Sequence, residues 1–320
     1  MTQYILRRLL LMVPVAFLVT VGVFVLVRLA PGDPALAFAG EDKSPATIEA
    51  IRTEFGLDQP MPVQYVVWFG HLLQGDLGRS FQTHQRVVEA IWERLPATME
   101  LGAAALLFSI TIALIVGIVS AVKRNSVIDL AATGVTLAGV SFPNFFLGIV
   151  LILLFAYVIP GHIFPPGGYI PLVQDPGDNL KRLVLPAITL AAASTAVNVR
   201  QIRSSLLDVF GHDYMRTARA KGLHEGAVIA RHALKNALIP VVTLVGLQVG
   251  AIIEGAFITE QIFFWPGIGR LAVQAIPAGD YPVVQGVVLV SAFSFMMTTL
   301  LVDVLYAWLD PRISYGASTA

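Results

Sequence analysis

Cysteine is absent from the chain, and charged residues are scarce. With no cysteine among 320 residues, disulfide bonds, thiolate metal sites and cysteine nucleophiles are all excluded. Asp, Glu, Lys and Arg make up only 13% of the sequence, whereas a soluble domain has about 25%. The formal net charge is +0, so no overall basic field would attract nucleic acid. Hydrophobic residues account for 56% of the chain, and this composition indicates a membrane protein.

The sequence also lacks the common motifs of catalysis. It contains no GxxxxGK[ST] loop, so it has no standard cradle for the phosphates of ATP. Its 6 histidines are scattered and form no H-E-x-x-H pair, and no Ser, His and Asp set stands out. A membrane enzyme is therefore disfavoured. We predict a non-catalytic chain without a cofactor or metal of its own.

Six apolar runs are long enough to cross a bilayer. A transmembrane helix needs about 20 mostly apolar residues, because each residue rises 1.5 Å across a core about 30 Å thick. The third run reaches too far for one crossing, and the Pro and Gly residues of "IPGHIFPPGG" at 159–168 must end it. The predicted spans are 9–27, 101–122, 130 to that break, 183–199, 236–253 and 281–302.

Lys and Arg near the ends of these spans predict their orientation. Most of them fall on one side if the N-terminus is cytoplasmic, as the positive-inside rule requires. Six spans then place both termini in the cytoplasm. The first span could instead be a cleaved signal peptide, but its apolar run is long and "RLAPGDP" is a poor cleavage site. We therefore expect an uncleaved anchor.

The segment between the first two spans is predicted to be helical rather than disordered. Ser44 is a suitable N-cap, Pro45 suits the first helical position, and Gly56 follows the end of that helix. A second helix is expected over 62–74. A third is expected in "RVVEAIWERL", lying in the membrane interface before the second span; its apolar stripe comprises Val87, Val88, Ile91, Trp92 and Leu95. These helices either cap the bundle or dock another protein.

A polar, basic stretch, "DYMRTARAKGLHEGAVIARHALKNALIP", interrupts the apolar spans at 213–240. Small or apolar residues recur at spacings of three or four, and on a continuous helix they form one narrow face that another backbone can approach; they are Ala218, Gly222, Gly226, Ile229 and Ala233. Gly222 also suggests a turn between two short helices. A solvated loop that obeys the positive-inside rule is the alternative.

This stretch resembles the EAA loop of permease subunits in ATP-binding-cassette importers, and more narrowly the dipeptide and oligopeptide permease family. The resemblance extends along nearly the whole chain. The matching motifs include "RLAPGDP", "FGLDQPMPVQY", "GDLGRS", "RLPATMELG", "LPAITL", "VNVRQIRSSLLDV", "EQIFFWPGIGRL", "DYPVVQG" and "LVDVLYAWLDPRISY". Each motif alone is weak, but so many in order are specific.

The resemblance implies an all-α, type I importer permease with six transmembrane helices. Its partners would be a homologous second permease, two cytoplasmic ATPase subunits that bind ATP and Mg, and an extracytoplasmic substrate-binding protein. A coupling helix would dock one ATPase, and the residues implied in coupling are Arg216, Ala218, Ala220, Lys221, Gly222, Leu223 and Glu225. Arg216 and Lys235 depart from the wider importer pattern, and His224 stands where Ser is common, although His is a poor N-cap.

The resulting plan has four parts. Residues 1–29 form the cytoplasmic N-terminus and first span, 30–97 the extracytoplasmic insert, 98–310 the transmembrane core with a coupling loop at about 205–237, and 311–320 a cytoplasmic tail. Asp303, Asp310 and Arg312 are expected to anchor the last span at the interface. The family implies a multi-pass protein of a bacterial or archaeal plasma membrane.

Polar groups inside the spans are candidates for the translocation path. They are Ser141 and Asn144, which flank Pro143, together with Gln248 and Glu254. Pro143 could break its helix and expose backbone carbonyls to a water-filled path, but we expect a plain kink there. For Gln248 we expect an interhelical hydrogen bond. The family implies a peptide substrate, with nickel, glutathione and oligosaccharides as alternatives. A secondary transporter or channel, which works without an ATPase, is the rival class, but it often has internal repeats and none is evident.

Overall fold

The computed structural model describes residues 2–29, 34–39, 44–54, 56–161 and 163–309. Within these ranges the regular structure is helical, apart from one bridge between Arg79 and Arg86. The helices are α1 Thr2–Leu29, α2 Pro34–Ala39, α3 Pro45–Glu54, α4 Met61–Leu73, α5 Val87–Val122, α6 Val127–Ser141, α7 Asn144–Ile152, α8 Pro176–Phe210, α9 Asp213–Ala220, α10 Glu225–Val228, α11 Leu234–Ala237, α12 Ile239–Ile262, α13 Ile268–Ala275 and α14 Tyr281–Leu309. Two π-helical turns, Leu153–Val158 and Ile229–Ala233, continue α7 and α10.

All six predicted spans have a helical counterpart. Four helices, α1, α5, α8 and α14, are individually long and apolar enough to cross a membrane. Two bent pairs pass the same test only when each pair is taken as one span: α6 with α7 and its π turn, bent by 106°, and the α10–α11 stretch with the first half of α12, bent by 54°. The third predicted span ends after Val158, as the Pro- and Gly-rich segment predicted.

The plain kink expected at Pro143 was wrong, because the helix breaks there. Phe142 has extended angles, φ −88° and ψ 132°, and α7 starts afresh at Asn144. Steric contact with a proline ring disfavours helical angles in the residue before it, and the ring nitrogen cannot donate a helical hydrogen bond. Ser141 and Asn144 consequently lie on either side of a sharp bend.

The separate interfacial helix expected before the second span was also wrong. Instead α5 runs without interruption from Val87 to Val122 and contains Pro96. The expected apolar stripe divides: Val87 and Ile91 are buried, whereas Trp92 is 73% exposed. Apart from Pro96, which this helix accommodates, no turn residue separates the two predicted elements. The predicted domain boundary at 97–98 therefore falls within one helix.

The chain divides into two compact units, and the first consists of Met1–Thr98 with Pro266–Ala320. Its long helices α1 and α14 pack together, and α13 packs on α14. The ends of this pair are joined by an ion pair between Arg8 and Asp303 at 3.1 Å, which gives Asp303 a partner that the anchoring prediction did not foresee. Asp310 and Arg312 lie outside the described residues.

The insert helices of unit 1 begin and end close to their predicted positions. The Ser44 hydroxyl accepts a hydrogen bond from the Thr47 amide at 3.2 Å, which caps α3. Gly56, with φ +59°, lies beyond the end of that helix, where a left-handed residue suits glycine. The second insert helix, α4, spans Met61–Leu73, one residue from the prediction at each end.

Unit 2, Met99–Trp265, is built around α8. This helix packs against α6, α7 and α12. Gly117 of α5 lies so close to α8 that an added Cβ would stand 2.8 Å from Ile202 Cγ2. Small residues allow this kind of close helix contact.

Candidate functional site

The basic stretch forms two short helices that meet at a glycine. The first is α9, the second is α10, and between them Gly222 has φ +76°. Most residues avoid this left-handed region because their Cβ is crowded, but glycine does not. The turn predicted at Gly222 is confirmed. The continuous face of small residues does not form, because the helix is interrupted between Ala218 and Gly226.

One side of this coupling segment, which we define as residues 213–237, is buried in unit 2. Its apolar side chains join a core cluster with residues of α8 and α5. The buried members on the segment are Met215, Ala218, Val228, Ala233 and Ala237. Ala218 thus serves the packing of the segment onto its own unit. The base of the segment therefore packs against both α5 and α8.

The other side of the coupling segment is exposed. Five basic side chains on this side are exposed; they are Arg216, Arg219, Lys221, Arg231 and Lys235. Ala220, Lys221, Gly222 and Leu223 form the exposed tip, and Leu223 is an exposed apolar side chain at 38%. A basic surface with an apolar tip can fit into a groove of another protein.

An ion pair that the sequence did not predict joins the two short helices. Two guanidinium nitrogens of Arg219 reach Glu225: Nε donates to Oε2 at 3.2 Å, and Nη2 donates to Oε1 at 2.8 Å. This hydrogen bonding lowers the pKa of Glu225 and raises the pKa of Arg219. A bidentate contact of this kind sets the geometry of the turn as well as adding energy.

His224 caps α10, so the expectation that it would cap poorly was wrong. Its Nδ1 accepts a hydrogen bond from the Ala227 amide at 3.2 Å. An N-cap needs a side-chain acceptor within reach of the amide three residues later. A neutral imidazole has one unprotonated nitrogen, which provides that acceptor.

Three of the four predicted path residues have side chains that the structure describes. Ser141 donates to the Leu137 carbonyl at 2.7 Å, and Asn144 opens α7 after the break. Gln248 makes the predicted interhelical hydrogen bond: its amide and that of Asn198 on α8 are paired reciprocally at 3.0 and 3.1 Å. Glu254 belongs to α12, but its side chain lies outside the described residues.

A buried ionic cluster near one end of unit 2 was not predicted. Asp129, at the start of α6, accepts hydrogen bonds from Arg203 Nε at 2.7 Å and Nη2 at 2.8 Å. It also accepts from the Ser120 hydroxyl and from the Asn125 amide. The cluster joins α5, α6 and α8. The only sequence signal was an acidic residue in the first turn of a helix, which is common.

A second unpredicted cluster joins α5 and α8 to the segment before α8. Glu100 accepts hydrogen bonds from the Tyr169 hydroxyl at 3.0 Å and from Asn179 Nδ2 at 2.6 Å. Burial, reinforced by the hydrogen bond to Glu100, raises the pKa of Tyr169 to about 12. The Tyr169 hydroxyl therefore remains protonated and continues to donate across the physiological range.

These features define a class: a polytopic, all-helical membrane protein with a basic, glycine-bent segment anchored in its core. No group of three or more metal-binding side chains occurs among the described residues. The chain belongs to the family of binding-protein-dependent transport system inner membrane components, whose model matches residues 113–315. The N-terminal model of the same systems matches residues 1–102.

Relatives along the full chain carry the names of transport permeases. A putative peptide transport system permease protein of Brucella suis is 44% identical over 98% of this chain and 100% of its own length. The dipeptide transport system permease protein of Alkalihalophilus pseudofirmus is 42% identical over 98% and 100%. The glutathione transport system permease protein of Salmonella choleraesuis is 41% identical over 98% and 100%.

A solved structure shares the fold. A chain of the methionine ABC transporter MetNI, in an inward-facing conformation, superposes with a TM-score of 0.51. The match covers 70% of this chain and 96% of that chain at 15% identity. The fold is therefore that of an ABC importer permease, as the sequence resemblance implied.

Proposed function

We propose that this chain is a permease subunit that forms the translocation path of an ABC importer for dipeptides and oligopeptides. The family membership supports a binding-protein-dependent system. Relatives named for peptide and dipeptide transport support the substrate class. Glutathione, itself a small peptide, is the second candidate, because a relative with that name is 41% identical.

The transport cycle needs partners that supply energy and substrate. A homologous second permease pairs with this chain, and two cytoplasmic ATPase subunits bind ATP and Mg. An extracytoplasmic binding protein delivers the peptide. Both termini and the coupling segment face the cytoplasm, the insert faces outward, and the assembly lies in a bacterial or archaeal plasma membrane. The distribution of Lys and Arg supports this orientation.

The coupling segment connects ATP binding to the spans. Its exposed tip at Ala220, Lys221, Gly222 and Leu223 enters a cleft of an ATPase, flanked by Arg216 and by Glu225. Its buried base packs against α8 and α5. ATP-driven closure of the two ATPases then displaces the base and shifts the spans between inward-open and outward-open packings. The combination of exposed tip and buried base is the observation that carries this proposal.

The translocation path includes polar groups of the bent spans. Ser141 and Asn144 lie at the break between α6 and α7, where helical hydrogen bonding is interrupted. Irregular backbone at membrane depth is tolerated where it faces protein or a water-filled cavity. Gln248 and Glu254 of α12 complete the proposed set, in which Glu254 either meets the ammonium group of a peptide, pairs with a basic group of the partner permease, or lies at the interface without a role.

Cross-linking from the tip tests the coupling proposal. Because the chain has no cysteine, Leu223→Cys supplies a single thiol, and the complex is cross-linked in inside-out vesicles of the native cells. We expect mass spectrometry to identify an ATPase subunit attached at residue 223. If that thiol were labelled only from outside the cell and gave no ATPase adduct, residue 223 would lie on the outer side of the membrane. The predicted topology would then be inverted, and the importer proposal would be overturned.

Transport measurements separate an importer from an ATP-independent transporter. Gly222→Trp places bulk and left-handed strain at the tip, so we expect ATP-dependent dipeptide uptake to fall to background. Lys123→Trp is the matched control, because Lys123 is exposed between α5 and α6, outside the coupling segment. If the rate of dipeptide uptake were unchanged both by Gly222→Trp and by ATP depletion, the chain would instead be a secondary transporter or channel.

A further inference from the structure

Unit 1 contains a cavity of about 870 Å³ at the carboxyl end of α1. Side chains from α1, α4, the 76–86 loop and the start of α14 line it. Part of the lining is apolar and comes from Val27, Val67, Trp68, Leu77, Phe81 and Pro282. Another part is polar, and its charged members are mostly arginines, so the cavity is amphipathic.

The charges around the cavity favour an anion. Arg28, Arg79 and Arg86 line it, whereas Asp76 is the one carboxylate among its described lining residues. That carboxylate lies 4.0 Å from His71 Nδ1, and Arg86 has Glu89 at 3.9 Å. Among the described residues, no carboxylate forms an ion pair with Arg28 or Arg79. Within the part of the chain that the structure describes, Arg28 and Arg79 therefore retain capacity for an anionic ligand.

Arg28 is held in place by neutral groups. Its Nε donates to Gln64 Oε1 at 2.9 Å, and its guanidinium carbon lies 3.6 Å from the centroid of the Phe24 ring. These contacts orient the side chain without neutralising its charge. The two terminal nitrogens of the guanidinium are the donors that bind phosphate oxygens in a bidentate manner.

The position of α4 indicates where the ligand comes from. Tyr65 of α4 shares a hydrogen bond of 2.8 Å with Thr20 and packs edge-on against Phe17. Thr20 precedes the end of α1 by nine residues, which is about 13 Å along a helix, so α4 reaches well down the apolar span. Val66 and Leu73 on α4 are exposed apolar side chains. We infer that α4 lies among lipids, with its aromatic residues near the headgroups.

We propose that this cavity binds an anionic phospholipid of the adjacent leaflet. Arg28 and Arg79 hold the headgroup phosphate, and the apolar lining around Val67 and Trp68 receives the first part of an acyl chain. A lipid fits both halves of the cavity, since its charge matches the arginines and its chain continues along the exposed apolar side of α4. In the orientation proposed above, this is the outer leaflet.

Photo-cross-linking in the assembled transporter tests the site. The complex, isolated with its partner subunits, is placed in phosphatidylcholine nanodiscs that contain a little photoactivatable phosphatidylglycerol. We expect adducts on residues 61–73, and about tenfold fewer with Arg28→Gln or Arg79→Gln, because a charge-assisted hydrogen bond is lost. Arg28→Lys, which keeps the charge, retains more adducts than Arg28→Gln and shows that the fold survives.

A matched control and two soluble competitors distinguish a lipid site from general charge attraction and from a site for a soluble ligand. Lys181→Gln removes an exposed cation of α8 outside the cavity, and we expect it to leave the adducts unchanged. An equal loss with Lys181→Gln would indicate only general charge attraction and overturn the proposal. Displacement of the lipid by millimolar inorganic phosphate would indicate a free-phosphate site, and displacement by a dipeptide would indicate a substrate site; either result rejects a lipid site.

Discussion

Asp129 carries a formal charge that is almost wholly removed from solvent. Four donors from Arg203, Ser120 and Asn125 surround its two carboxylate oxygens. Burying a carboxylate is costly unless its charge is paired and its lone pairs are satisfied. The cluster meets both conditions, so its members depend on one another.

Removing one partner of this cluster is expected to be strongly destabilising. Asp129→Asn leaves the Arg203 guanidinium without its counter-charge, and we expect a loss of about 3 kcal/mol in the free energy of unfolding. Thermal unfolding of the purified complex in detergent measures the change. Glu225→Gln, which breaks an exposed ion pair, is the control, and it should cost less than about 1 kcal/mol. Equal effects of the two variants would show that burial adds nothing to the Asp129 ion pair.

Single residues were predictable from the sequence where their signal is local. The turn at Gly222 and the cap at Ser44 follow from residue type and immediate neighbours. The pairing of Asp129 with Arg203 does not, because 74 residues separate the two partners. The N-cap at His224 was missed for another reason. N-cap preferences rank residue types, whereas this cap depends on which ring nitrogen is unprotonated and can accept a hydrogen bond.

Helices α5 and α8 approach each other at a glycine. A Cβ on Gly117 would lie 2.8 Å from Ile202 Cγ2 and 3.2 Å from the Val199 carbonyl oxygen. We expect Gly117→Val to destabilise the protein by about 2 kcal/mol through overpacking. The double variant with Ile202→Ala removes the nearer clash, so it should lose less stability than the sum of the two single variants. A double-mutant cycle on the unfolding free energies measures the coupling, and strict additivity would disprove the contact.

The ion pair between α9 and α10 makes the turn sensitive to pH. Arg219 lowers the pKa of Glu225. The stabilisation that this ion pair gives the turn is therefore fully present above the ordinary carboxylate pKa, and it is lost as the pH falls through the lowered pKa of Glu225. A spin label on Leu223→Cys should therefore become more mobile as the pH is lowered from about 6 to about 3, a window that brackets the ordinary carboxylate pKa. With Glu225→Gln the label should already be mobile at the upper end of that window and respond little to acid. A pH response that persists in this variant would assign the effect to another group.

At the scale of elements, the sequence predicted where helices occur better than where they join. Apolar runs and caps identified the six spans and the insert helices α3 and α4. The fusion of the expected interfacial helix with the second span, and the break at Pro143, were mispredicted. A proline can start, kink or end a helix, and Pro96 and Pro143 show that tertiary packing decides among these outcomes.

The orientation of the whole molecule can be measured with single cysteines. The insert residue Thr83 is exposed, and we expect Thr83→Cys to react with a membrane-impermeant maleimide on intact cells. Leu223→Cys should react only after the cells are opened. The cysteine-free parent chain gives the background. Labelling in the reverse pattern would place the insert in the cytoplasm.

The ion pair between Arg8 and Asp303 has a consequence for biosynthesis. The two residues are separated by 295 positions, and the helices that carry them, α1 and α14, pack against each other. The ribosome releases α1 into the translocon first and α14 last. Unit 1 therefore cannot close until α14 has been synthesised, and in a nascent chain that stalls before α14 the surface of α1 that α14 covers stays exposed.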